Sequence, residues 1–287
     1  MISTQNAERT FSFELFPPKT DQGVAKLRDT VSKLNARHPA FFSVTYGAGG
    51  STHSNTFATV DWIKSQGIEV APHLSCIGSK RSEIVDILSR YASQAIRRIV
   101  ALRGDLPSGA GAGSMGALSH ANELVALVRD QFGAGFHIEV AAYPEMHPQA
   151  PSFERDLDNF KRKVDAGADS AITQYFYNAD AYEHFSDACV RRGIDIPIVP
   201  GIMPITNFSN LVRFSDACGA EIPRWLRKRL EGYGDDVAAI RALGTEVVSK
   251  MCRRLLDMGA PGLHFYTMNQ ADPTLAIWDN LGLGGPL

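Results

Sequence analysis

FSFELFPPKTDQGVAKLRDTVSKLNARHPAFFSVTYG, residues 11–47, holds one complete strand–helix–strand unit. In FSFELF (11–16), Ser12 and Glu14 alternate with Phe11, Phe13 and Leu15, the period of a strand with two different faces. Pro17 and Pro18 end it, because proline has no N–H for the ladder. Val24, Leu27, Val31 and Leu34 then recur at helical spacing on one stripe. FFSVTYG (41–47) returns to aromatic and β-branched residues. A strand, a helix and a strand within about 30 residues make a βαβ unit, whose two strands run parallel.

The unit repeats along the chain. Further strand-like runs are EVAPHLSC (69–76), RIVALRGD (98–105), HIEVAAYP (137–144), SAITQYFY (170–177), IPIVPGIMP (196–204) and LHFYTMN (263–269). Helical spacing fills the intervals, as in 82–96 and in 152–168, which Ser152 opens and Gly167 closes. The last interval is long enough for an extra helix over 222–231 before one over 236–258. Eight such strands predict an α/β chain folded as one (β/α)8 barrel domain over 1–287, with 1–10 a flexible lead. An open doubly wound sheet uses the same units. The placement of polar residues at strand ends favours the barrel.

Composition narrows the function. The 287 residues carry 29 Lys+Arg and 31 Asp+Glu, a formal charge of −2, which gives no electrostatic reason to expect nucleic acid. Hydrophobic residues make up 44%, ordinary for a globular chain, and no window is apolar enough to span a membrane. MISTQNAERT has no apolar core of a secretory signal. Cys76, Cys189, Cys218 and Cys252 form no CxxC pair and no zinc spacing, so free thiols, a cytoplasmic location and no metal are expected.

Barrel enzymes place their chemistry at the C-terminal ends of strands. Here those ends carry Glu14, Thr45, Tyr46, His73, Arg103, Asp105, Tyr143, Glu145, His147, Gln174, Tyr177, Tyr266 and Asn269. A carboxylate among phenylalanines is expensive to ionise unless paired, which gives Glu14 the raised pKa of a general acid; a buried structural ion pair is the other reading. Arg103 and Asp105 flank Gly104, which lets a ligand approach the backbone, or they pair with each other. His73 on its own reads as a core histidine, whereas His147 lies in a proline-rich loop suited to binding. Gln174 needs both a donor and an acceptor met, by a pterin edge, backbone or water. Lys161, Arg162 and Lys163 form a solvated helix face or a phosphate patch. GAGSMG (111–116) matches GxGxxG but opens no helix after a strand, so it reads as a loop, with 108–116 a mobile lip of the site.

Taken together, FSFELFPPK, FSVTYGAGGS, APHLSCI, IVALRGDLP, VAAYPEMHP, FKRKVDAGAD, AITQYFY, PGIMPITNF and HFYTMN closely resemble bacterial methylenetetrahydrofolate reductase from about residue 11 to 282. The resemblance implies a (β/α)8 barrel that binds FAD without a Rossmann motif. It implies ping-pong turnover, in which NADH or NADPH reduces the flavin and 5,10-methylenetetrahydrofolate is then reduced to 5-methyltetrahydrofolate. Glu14 would protonate folate N10, and Asp105 would stabilise the resulting cation. FAD contacts carry over to Tyr46, Ala48, His73, Arg103, Gly104, Asp105, Ala121, Tyr143, His147, Ala150, Asp156, Asn159, Arg162 and Lys163. Substrate contacts carry over to Thr45, Gln174, Phe214 and Tyr266. Asn210 stands where a glutamine is frequent and Gln270 where an arginine is frequent, which would weaken a grip on the folate glutamate tail. A homodimer or homotetramer is implied, and the chain stops after the barrel, so control by adenosylmethionine is not expected. The alternatives are direct hydride transfer without flavin, and a flavin- or folate-binding barrel without turnover.

Overall fold

A computed structural model of the chain describes residues 9–46, 50–104 and 116–283. Among them are nine short strands: β1 (Thr10–Leu15), β2 (Phe41–Val44), β3 (Val70–Ser75), β4 (Arg98–Leu102), β5 (His137–Ala142), β6 (Ser170–Thr173), β7 (Ile198–Val199), β8 (Gly201–Ile202) and β9 (Gly262–Tyr266). Their order is β7-β6-β5-β4-β3-β2-β1-β9-β8, and every paired neighbour is parallel.

The ends of that list are one chain segment. β7 and β8 are halves of the single strand expected over 196–204, split at Pro200. Proline cannot donate to a ladder, so pairing changes sides there. Before it, β7 pairs with β6; after it, β8 pairs with β9. The Pro200 carbonyl stays in the ladder and accepts from His264 N at 2.9 Å. The ring therefore closes as an eight-membered (β/α)8 barrel, and the open doubly wound sheet is excluded.

The helices are α1 (Asp21–Asn35), α2 (Gly50–Ser65), α3 (Arg81–Ser93), α4 (Ala121–Phe132), α5 (Phe153–Asp165), α6 (Ala179–Arg191), α7 (Phe208–Cys218), α8 (Arg224–Gly232), α9 (Val237–Asp257) and α10 (Ala271–Asn280). Local chemistry sets their starts. The side chains of Thr20, Ser152, Asn178, Asn207 and Asp236 cap α1, α5, α6, α7 and α9 by accepting from backbone N–H groups of the first turn. The stripe of α1 buries Leu27, Val31 and Leu34, as its spacing predicts. The long interval before β9 holds three helices, not two. The sequence reading lacks α7, which buries Leu211 and Ser215 and packs Phe208, Val212, Phe214 and Cys218 against the core.

Several expected strands stop two or more residues short. Those over 41–47, 98–105, 137–144, 170–177 and 263–269 leave the ladder after Val44, Leu102, Ala142, Thr173 and Tyr266. Beyond three of those points Arg103, Tyr143 and Gln174 line the barrel mouth. Past such an end the first amide can still bond the neighbouring strand, Thr45 N to Leu15 O at 2.9 Å and Gln174 N to Ala142 O at 2.8 Å. The expected lip over 108–116 lies outside the described residues except for Gly116.

Inside the barrel, Phe41, Ala71, Val100 and Ile172 form an apolar cluster separate from the larger core between strands and helices. Toward the N-terminal end lies an ionic knot. Glu139, 2% exposed, bonds Arg98 and accepts from the Ser170 hydroxyl, with His137 Nε2 at 3.4 Å. Burial alone would raise its pKa. The His137 contact, the Arg98 guanidinium and the Ser170 hydroxyl outweigh burial and hold it below the ordinary 4.5. A carboxylate with a depressed folded pKa stabilises the fold above its unfolded pKa. That contribution fades as pH falls through the folded value. Glu139→Gln leaves Arg98 facing a neutral amide. It is expected to lose about 3 kcal/mol in urea denaturation at pH 7, and the difference from the parent should shrink below pH 4. Equal midpoints at pH 7 would refute the assignment. No helix among the described residues is long and apolar enough to cross a membrane.

Candidate active site

The C-terminal mouth holds a cavity of about 510 Å³. It gathers eight of the residues singled out from the sequence: Glu14, His73, Arg103, Tyr143, His147, Gln174, Phe214 and Tyr266. They come from β1, β3, β5, β6, β9 and α7 or the turns that follow these strands and β4, so the barrel's closure brings together groups up to about 250 residues apart, on the pattern of barrel enzymes.

Glu14 is 20% exposed in its side chain, and its Oε2 lies between two imidazoles. His73 Nε2 is 3.4 Å away and His264 Nε2 3.8 Å away. Strand alternation turns Phe11, Phe13 and Leu15 outward, so the immediate neighbours of this carboxylate are imidazoles and the Tyr266 phenol. The phenylalanine surroundings expected from the sequence belong to the opposite face of β1. Burial pushes the His73 imidazole down to about 4, against the pull of Glu14 and with the help of His264. His73 Nε2 is buried without a hydrogen-bond partner, although it lines the cavity. An orphaned nitrogen there is a socket for a ligand atom.

The other cavity residues are fixed from behind. Tyr266 donates its hydroxyl to Thr173 O at 2.7 Å, and burial raises its pKa well above 10. Gln174 accepts from Tyr175 N through Oε1 at 3.0 Å. Arg103 donates Nε to Gly104 O at 3.2 Å, and Gly104 has φ +85°, a conformation glycine adopts freely. A Cβ there would lie 1.8 Å from Ser75 Oγ, so this glycine makes room for the Ser75 side chain at the end of β3, where the sequence suggested the approach of a ligand. Tyr143 and His147 meet edge to face at 4.6 Å.

The remaining expected contacts lie around this cavity. Asp156 accepts from His147 N at 2.8 Å, tying the first turn of α5 to the mouth. Along α5, Asn159 accepts from Arg162 at 3.2 Å, and both are exposed. Lys163 turns inward to donate to Ala141 O, and burial lowers it to about 8. Ala150 N bonds His147 O at 2.9 Å, and Ala121 starts α4. Thr45 O accepts from Thr56 at 3.1 Å, and burial raises Tyr46 to about 12. None of these residues lines the cavity. Asn210 is exposed on α7, and Gln270 stands just before α10, without a side-chain capping bond, in a separate cleft of about 400 Å³. Asp105 and Ala48 lie outside the described residues.

Three functional groups escaped the sequence reading. His264 sits beside Tyr266 on the inner face of β9, a position that alternation along LHFYTMN would have shown. Cys218 and Tyr175 also line the cavity, 3.3 Å apart, from α7 and the turn after β6.

A closed barrel with an acid, two imidazoles, an amide and aromatic walls at its C-terminal mouth defines a barrel enzyme with a deep small-molecule site. The sequence matches the methylenetetrahydrofolate reductase family over residues 2–282. It is 42% identical over 273 residues to the 5,10-methylenetetrahydrofolate reductase of Escherichia coli K12, across 95% of this chain and 90% of that one. Against methylenetetrahydrofolate reductase (NADH) 1 of Arabidopsis thaliana it is 37% identical across 98% of this chain, which spans 49% of the plant protein. In structure it resembles a Clostridium thermocellum protein described as binding two copies of 5-methyl-5,6,7,8-tetrahydrofolic acid, with a TM-score of 0.66 and 15% identity over 97% of this chain and 94% of that one. This chain belongs to the methylenetetrahydrofolate reductase family, a family of oxidoreductases.

Proposed function

We propose that the protein reduces 5,10-methylenetetrahydrofolate to 5-methyltetrahydrofolate with electrons from NADH or NADPH, using FAD. The observation that carries this reading is Glu14, a carboxylate set between two imidazoles at the cavity within a chain of this family. The residues present fit a flavin. The orphaned His73 nitrogen, the Arg103 guanidinium and the Tyr143 and His147 rings offer polar partners and flat walls to a planar ring with a polar edge. Tyr46, Ala48, Gly104, Asp105, Ala121, Ala150, Asp156 and Asn159 complete that set, and the basic Arg162 and Lys163 on α5 would hold the diphosphate end. When bound, FAD supplies a two-electron hydride carrier.

The protein's own groups then act on the folate. Glu14 gives its proton to N10, which opens the five-membered ring and leaves an iminium at N5. The negative charge of Asp105 stabilises the cation that develops. Gln174 meets the pterin edge with paired donor and acceptor. Phe214 and Tyr266 supply faces for the rest of the substrate, and Thr45, Asn210 and Gln270 complete its contacts. The same reading places the protein in the cytoplasm as a homo-oligomer.

An anaerobic visible spectrum tests the whole scheme. A flavin band that bleaches with NADH and returns with methylenetetrahydrofolate is the expected result. No band after incubation with FAD would overturn the cofactor and promote direct hydride transfer. Bleaching without return would overturn the substrate.

A further inference from the structure

We infer that His264 is the positioning residue of the Glu14 acid, with Ser12 bonding its far ring nitrogen. The inference rests on the proposed role of Glu14. His264 is fully buried, 0% exposed, and does not line the cavity. It lies one layer deeper than Glu14, because the β1–β9 register sets Ser12 against His264 and Glu14 against Tyr266. Its Nδ1 is 2.7 Å from Ser12 Oγ, while Nε2 faces Ser43 Oγ at 3.5 Å and Glu14 Oε2 at 3.8 Å. A fully buried imidazole between two serines and a carboxylate has a function beyond filling space, since three small apolar residues would close this layer at lower desolvation cost.

The tautomer follows from the partners. The Glu14 carboxylate on the Nε2 side favours the proton on that nitrogen, and the Ser12 hydroxyl, able to donate or accept, then donates to Nδ1. At 3.8 Å the pair is too long for a hydrogen bond, and a rotation of the carboxyl closes the gap. Catalytic contacts commonly tighten in this way when substrate arrives. The Nε2–H dipole then favours the ionised carboxylate that remains once the proton has gone to the folate. It also fixes which oxygen faces the cavity. The other charged or titratable groups facing Glu14 among the described residues are His73 from β3, Tyr266 from β9 and Arg103 across the cavity. Those three line the cavity and would touch a ligand directly. His264 reaches a ligand only through Glu14 or Tyr266, whose ring it meets edge-on at 5.4 Å.

The test separates positioning from packing. His264→Leu should slow folate reduction about 10- to 100-fold, the scale on which orienting partners of functional groups act, with folate KM and flavin reduction by NADH unchanged. Removing a donor that favours the carboxylate should also move the alkaline limb of that half-reaction to higher pH. His264→Gln restores an N–H near the Nε2 position and should recover most of both effects. Nitrogen-15 spectra of the imidazoles, recorded on the protein without substrate, give a readout independent of turnover. They should show His264 with a protonated Nε2 and a shift that follows the titration of Glu14, and Glu14→Gln should abolish that response. A His264 resonance indifferent to Glu14 would overturn the inference. So would a His264→Leu enzyme with an unmoved pH profile, or one that loses both half-reactions equally. If His264→Leu fails to fold, Ser12→Ala and the spectra still decide. Should Glu14→Gln leave folate reduction intact, the acid assignment itself fails, an outcome distinct from these.

Discussion

Glu14→Gln is expected to abolish folate reduction while leaving flavin reduction by nicotinamide near the parent rate. The substitution keeps the size of the side chain and its ability to accept from His264, but glutamine has no acidic proton to give. A positioned general acid contributes about 10²–10⁴-fold, so the folate half-reaction should fall by that factor. Hydride delivery to the flavin requires no proton from this position, so the first half-reaction should continue. Stopped-flow traces of the flavin band under anaerobic conditions separate the two. Folding should be little affected, because the carboxylate is partly open to the cavity and its nearest partners are the two imidazoles at 3.4 and 3.8 Å. Equal loss of both half-reactions in a folded, flavin-loaded variant would mean that Glu14 serves cofactor binding and not protonation.

The histidines beside Glu14 mark where sequence reading ran out. Alternation within FSFELF correctly divided β1 into a phenylalanine face and a Ser12–Glu14 face. It could not say what lay opposite the second face, because those partners, His73 and His264, arrive from β3 and β9. Only the register of the closed ring brings them within 4 Å. The barrel itself was legible, since strand–helix units recur at a period that single residues hardly disturb. Its closure was less visible. Pro200 splits the strand run over 196–204 into two-residue halves, each pairing on a different side; the proline marks a break in the ladder, but the sequence does not say which neighbour each half joins. α7 was missed for a different reason. Its inward stripe of Phe208, Leu211, Val212 and Ser215 has helical spacing and was legible, but it was passed over beside the longer run that follows; the helix delivers Phe214 and Cys218 to the cavity. The contacts expected along α5 came from motif resemblance, and spacing alone supplied only that Asp156, Asn159 and Lys163 share a face.

The closure point also governs the second large effect. Gly201→Ala is expected to cost about 3 kcal/mol and to lower the melting temperature by about 5–10 °C, a large loss for one added methyl group. A Cβ at this position would lie 2.1 Å from Thr173 O and 2.6 Å from the Tyr266 ring. Neither neighbour can yield easily. Thr173 O is backbone of β6 and accepts the Tyr266 hydroxyl at 2.7 Å, while the Gly201 amide donates to Thr173 Oγ1 at 2.9 Å. The Tyr266 ring is wedged edge-on between His264 at 5.4 Å and Tyr175 at 6.4 Å. The methyl group must either push Gly201 off Thr173, breaking its amide bond to Thr173 Oγ1 and straining the ring beside Pro200, or expel Tyr266 into the cavity. Both routes disturb the wall where folate is proposed to lie, so folate KM should rise together with the loss of stability. Gly201→Ala combined with Tyr266→Leu should recover part of the stability, because the smaller side chain removes the ring contact, but the clash with Thr173 O persists. Gly232→Ala is the control: a Cβ there meets nothing within 4 Å, and its melting temperature should match the parent. A Gly201→Ala protein that melts with the parent would show that the strands can separate at Pro200 without cost, and that the ring is held shut elsewhere.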